Sequence, residues 1–126
     1  MRQALTAILL AGFLTAQAAV NSVDIANNTV EIVYNGTTAT VNVATNISKY
    51  VTVSSGTSSH VVIKQAEDFA GVDATADNED GEIIYVLSGT STDGSLTLDG
   101  EYKCTLELNG LTLTNPAKLR SEERLS

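Results

Sequence analysis

The chain has 126 residues, 15 acidic against 7 basic, and a formal net charge of −8 at neutral pH. That length allows one domain of ordinary size. The acidity excludes a nucleic-acid binder of the phosphate-neutralising kind, which needs clustered Lys and Arg. Thr, Ser and Asn abound after the first 18 residues, against a helical bundle, which would favour Leu, Glu, Lys and Ala.

Residues 1–18 predict a signal peptide. Arg2 supplies a positive start, and Ala4 to Ala16 form an apolar stretch shorter than the ~20 residues that span a bilayer. Ala16-Gln17-Ala18 then gives the small-x-small pattern of a cleavage site. The expectation is an exported protein, periplasmic, cell-surface or extracellular, with no transmembrane anchor after cleavage.

Residues 19–64 read as an N-terminal β region of short strands separated by turns. Strands are predicted over 30–34, 38–43, 50–53 and 60–64. Asn35-Gly36 tolerates positive φ in a tight turn between the first two. Asn27-Asn28-Thr29, Asn35-Gly36-Thr37 and Asn46-Ile47-Ser48 match glycosylation sequons, and here they indicate exposed turns.

Residues 65–82 form an acidic loop or linker, with seven carboxylates from Glu67 to Glu82 and no basic residue. Asp77-Asn-Glu-Asp-Gly81 invites comparison with a calcium loop. Aligned on Gly81, however, the first ligand position holds Ala76 and the twelfth holds Leu87, where a bidentate Glu is required. A solvated charged loop is the expectation.

Strands follow over 83–87, 95–98, 104–108 and 111–114, and no window shows a helical period. The mature chain is expected to be all-β. Alternation places Leu96, Leu98, Cys104, Leu106, Leu108, Leu111 and Leu113 on inward faces, as one core. Cys104 then reads as a buried small hydrophobe, and His60, the only histidine, rules out multi-histidine metal sites. A Cys104–His60 pair has no local signal to bring it together. At Asn109-Gly110 two geometries fit. A two-residue hairpin would set Leu108 opposite Leu111, and a corner would carry the chain from one sheet of a β-helix to the next.

Tyr85-Val-Leu-Ser-Gly-Thr-Ser-Thr-Asp-Gly-Ser-Leu-Thr-Leu-Asp-Gly100 and Lys103-Cys-Thr-Leu-Glu-Leu-Asn-Gly-Leu-Thr-Leu-Thr-Asn115 resemble a family of secreted bacterial carbohydrate-binding domain-containing proteins. The stretch from Asn28 to Lys64 resembles the N-terminal part of such proteins, so the likeness spans roughly residues 23–115. It implies a right-handed parallel β-helix of the pectate-lyase kind, whose first coils are residues 83–115, and it favours the corner at Asn109-Gly110. The remaining residues, 116–126, depart from the family's Gly- and Ala-rich coils and read as a frameshifted or truncated end, with a genuine short helical tail as the alternative.

The resemblance implies a secreted, non-catalytic polysaccharide-binding protein, or a fragment of one. Sugar sites stack pyranose faces on aromatic rings. The chain has no Trp, and its aromatics after the first 18 residues are Phe69, Tyr34, Tyr50, Tyr85 and Tyr102; of these Tyr85 and Tyr102 are the candidate contacts, together with Glu101. An acidic polysaccharide on an acidic protein needs bridging calcium, for which Asp93, Asp99 and Glu101 are candidates. Asp93-Gly94 and Asp99-Gly100 are equally ordinary turn dipeptides. A structural, adhesin-like surface protein built as a small antiparallel β-sandwich is the alternative. A polysaccharide lyase or hydrolase fragment, with Glu101 and Glu107 as its carboxylate pair, ranks below both, because the basic residues of the mature β region before the tail reduce to Lys49, Lys64 and Lys103. No catalytic residue is expected, and glycan binding by the chain as it stands is expected to be weak.

Overall fold

The computed structural model describes residues 20–23, 25–55 and 57–115. The expected signal peptide and the tail 116–126 lie outside the described residues. Eight strands form: β1 (Val20–Val23), β2 (Thr29–Asn35), β3 (Thr38–Ala44), β4 (Val51–Val53), β5 (His60–Gln65), β6 (Ile83–Ser91), β7 (Ser95–Asp99) and β8 (Cys104–Leu113). A 3₁₀ helix, Thr45–Tyr50, joins β3 to β4. Among the described residues, no helix is long and apolar enough to cross a membrane.

The chain is predominantly β, in two small sheets of order β1-β3-β2-β6-β8 and β4-β5-β7. Both sheets are mixed, which corrects the small antiparallel sandwich. β2 pairs antiparallel with β3 and β4 with β5, whereas β2–β6, β6–β8 and β5–β7 run parallel. Asn35 faces Thr38 across a two-residue loop, and Gly36 takes φ 70°, as a primed hairpin turn requires at its first central position.

Register explains the core. Val41, Ile32, Leu87 and Leu108 lie side by side across four strands, and so do Val43, Val30, Tyr85 and Leu106. With Val53, Val61 and Ile63 of the smaller sheet, the inner residues of β2, β3 and β6 form a single cluster. Along the first row exposure runs 0, 0, 3 and then 68 %; along the second, Leu106 stands at 54 %. β8 is the last strand of its sheet among the described residues, and its inner face is left uncovered at Leu106 and Leu108.

The expected C-terminal core is therefore corrected. Leu96, Leu98, Leu111 and Leu113 pack partly buried against the cluster, but Cys104, Leu106 and Leu108 are exposed. Alternation assigns a face; only an opposing element makes that face an interior. Asn109-Gly110 is neither hairpin nor corner. β8 runs through it, with Leu108 paired to Leu87 and Leu111 to Gly89, so Asn109 and Gly110 together oppose Ser88. This is a β-bulge, and Gly110 takes φ 71° there. β6 also continues past Ser88-Gly89, because Gly89 bends it at φ 92° against Tyr34, whose carbonyl oxygen leaves no room for a Cβ.

Truncation should separate the two ends of one row. Ile32→Ala is expected to destabilise by ~2–5 kcal/mol, as a buried large-to-small change does. Leu106→Ala and Leu108→Ala are expected within about 0.5 kcal/mol of the parent. Urea denaturation of the three variants checks this.

Candidate functional site

The acidic segment between β5 and β6 is held down by Asn28. This residue is 2 % exposed and sits in the left-handed region at φ 66°, one position before β2. Its Nδ2 donates to the carbonyls of Val72, Gly81 and Glu82 at 2.9, 3.0 and 3.2 Å. Asn46 completes the arrangement. Its Nδ2 donates to Asn28 Oδ1 at 2.7 Å and to Asp73 Oδ2 at 2.9 Å, and its Oδ1 accepts from the Asn28 amide at 2.9 Å. The expected exposed turn at Asn27-Asn28-Thr29 is thus half corrected: Asn27 is exposed, and Asn28 is a buried fastener.

So anchored, the segment walls an open depression of ≈ 470 Å³ over the outer face of β6 and β8. Asp77, Glu79, Asp80, Glu82 and Glu107 supply its carboxylates, with Thr105 and Ile84 on its floor. Thr105 donates its hydroxyl to Glu82, and Lys103 Nζ lies 3.0 Å from Asp80 Oδ2. Among the described residues, no three His, Cys, Asp or Glu side chains converge to hold a metal ion.

The candidate contacts separate. Tyr85 is a core residue at 2 % exposure, so its ring is not offered to a sugar. Burial, followed by the nearby Cys104, pushes its phenol well above the usual range. Tyr102 is half-buried, donates to the Asp80 carbonyl at 2.8 Å and packs edge-on against Phe69 at 5.4 Å. Phe69 meets Tyr50 in the same way at 5.1 Å. Glu101 is exposed in the turn before β8. Asp93 and Asp99 are exposed at opposite ends of β7, roughly 20 Å apart at the usual ~3.3 Å rise per residue, so they cannot share one ion.

The parallel pairing of β5 and β7 creates a contact that sequence reasoning missed. His60 Nδ1 lies 2.9 Å from Ser95 Oγ, and His60 Nε2 lies 3.3 Å from Asp93 Oδ1. With the proton on Nε2, this is the order of a Ser–His–Asp relay. Acyl transfer also needs amide donors for an oxyanion, and the nearby amides are committed. Those of Ser59, Asp93, Gly94 and Ser95 donate to Thr37 O, Ser91 Oγ, Thr114 O and Ser59 O, and that of His60 to Ser58 Oγ. The triplet ties β5 to β7. The register that pairs His60 with Ser95, 35 positions on, has no short-range signature. Cys104, although exposed, has its thiol pushed up by partial desolvation and by the Glu82 carboxylate, away from the thiolate a nucleophile needs.

Comparisons of the chain with protein families, curated proteins and solved structures give no match.

Asn28→Ala removes three side-chain donations, of which those to Gly81 and Glu82 are backed by the Val72 amide and by Asn78 Nδ2, and it keeps a positive φ without glycine. It is expected to destabilise by about 2–4 kcal/mol and to speed hydrogen exchange across 71–82; urea denaturation and exchange mass spectrometry check both. A second expectation concerns alkali. Burial pushes the Tyr34 phenol up to about 12, above the ordinary value of about 10, so the unfolded chain ionises first. The contribution is complete below pH ~10 and is lost as pH rises through ~12. Urea midpoints should fall across that window, and Tyr34→Phe should flatten part of the fall while losing about 1 kcal/mol at neutral pH with its 2.8 Å bond to Ser95 O.

Proposed function

We propose that the chain is a secreted, non-catalytic polysaccharide-binding protein, built as the opening rungs of a right-handed parallel β-helix. The observation that carries the reading is the path of the chain from β6 through β7 to β8. It leaves the larger sheet, crosses the smaller one beside β5, and returns parallel to β6, Cys104 against Ile83. Parallel crossovers of this kind are right-handed in nearly all proteins, and the same residues carry the resemblance to the secreted carbohydrate-binding family. β3 and the acidic segment are excursions from that path.

The depression over β6 and β8 is the surface on which a glycan would lie. Carboxylates accept strongly from paired sugar hydroxyls, and Thr105 and Glu107 stand on a strand whose main chain is fixed by β6. A neutral polysaccharide fits this charge directly. An acidic one requires calcium between its own carboxylates and those of the protein. The structural, adhesin-like reading keeps one observation in its favour: two of the four tyrosines are buried and Tyr102 is engaged edge-on, which leaves a poor stacking platform.

Pull-downs on insoluble cellulose and on immobilised polygalacturonate, with calcium and with chelator, test the proposal. Weak retention on the neutral polymer regardless of chelator is expected, and on the acidic one only with calcium. Glu107→Gln should lower retention about tenfold, the worth of one charge-assisted hydrogen bond. Absence of retention on both polymers under both conditions would overturn glycan binding and favour the structural role.

A further inference from the structure

Among the described residues β8 is a ten-residue edge strand, exposed on its inner face at Leu106 and Leu108. Edge strands exposed to water are ordinarily kept short or blunted with charge or proline; β8 carries a single charged side chain, Glu107, and no proline. With Asn109 and Gly110 sharing one position at the bulge, its sequence is also self-complementary about Leu108. Read outward in both directions, Cys104 matches Leu113, Thr105 matches Thr112 and Leu106 matches Leu111, while Glu107 falls opposite the Asn109-Gly110 bulge.

We infer that β8 is a dimer interface, taken up by β8 of a second copy of this chain. Two symmetric pairings of identical strands exist. An axis along the strand gives parallel pairing but turns one copy's apolar face outward. An axis normal to the sheet pairs the strands antiparallel and keeps both inner faces on one side, where Leu106 and Leu108 are 54 and 68 % exposed. In the self-complementary register Leu106 lies across from Leu111 and Cys104 from Leu113 on the inner face. Thr105 meets Thr112 on the outer face, a favourable cross-strand pair. Glu107 falls opposite the Asn109-Gly110 bulge instead of its own copy, so the strand's only charge meets no like charge. The contact is isologous and closes at two. It involves no sugar, so its failure and a failure of glycan binding are read separately.

Sedimentation of the full chain up to about 100 μM should show a monomer–dimer equilibrium. Leu108→Lys, placed at an exposed position, should give a monomer with an unchanged circular-dichroism spectrum. Register is tested by cysteine pairs in a Cys104→Ser background. Thr105→Cys should cross-link to Thr112→Cys when the two are mixed and oxidised, and neither should cross-link to itself. A monomer at the top concentration would overturn the inference and leave the edge to a strand from another chain. Open-ended oligomers, a dimer indifferent to Leu108→Lys, or self-cross-linking of Thr105→Cys would each overturn it as well.

Discussion

A single buried amide sets the frame for the larger sheet. Asn28 must carry the chain into β2 and also fix where β6 begins, after a long acidic excursion. Its own carbonyl accepts from the Ile84 amide at 2.8 Å, while its side chain grips Val72, Gly81 and Glu82. Side-chain and main-chain donors and acceptors of Asn28 are satisfied together, which is the condition under which a buried polar group specifies a structure instead of weakening it. Because side chains alternate with a period of two, a slip of one residue between β2 and β6 would turn Tyr85 and Leu87 out of the core. The Asn28 clamp makes that slip expensive, because its three side-chain donations and its bond from the Ile84 amide would be lost together.

Much of the fold is legible in the alternation of apolar residues, and particular residues show where that legibility stops. The strands around Ile32, Val41, Ile63, Tyr85 and Leu98 fall where β-branched and aromatic residues alternate with Thr, Asn and Glu. The 3₁₀ helix Thr45–Tyr50 and the short β1 carry no comparable pattern. Ser88-Gly89 and Asn109-Gly110 read as turns because glycine permits reversal, yet permission is not instruction: in both places the strand bends and continues. Asn28 resembles any turn asparagine until its partners, 18 to 54 positions away, are known. Tyr85 reads as a surface aromatic for the same reason, since only pairing with Val30 reveals it as interior.

The two faces of β6 and β8 have separate chemistries. The inner face continues a hydrophobic row that is closed at β6 and open at β8. The outer face, at Ile84, Thr105 and Glu107, meets the wall of carboxylates that Asn28 and Asn46 hold in place. The exposed leucines Leu106 and Leu108 and the carboxylate-walled depression thus lie on opposite faces of the same strand.

The spacing of the strand pairs also sets an order of assembly. β2 and β3 are joined by two residues and form on the microsecond scale of hairpins. β2 and β6 bring together Val30 and Tyr85, whereas β6 and β8 bring together Tyr85 and Leu106, a much shorter loop. Closing the first loop loses only about 1 kcal/mol more entropy than the second, since closure grows slowly with length. Among the described residues the β2–β6 pairing has the largest sequence separation in the larger sheet, the kind of non-local contact that slows folding. Synthesis from the N-terminus presents the β2–β3 hairpin first, then Val72, Gly81 and Glu82 for Asn28, and last β6 and β8.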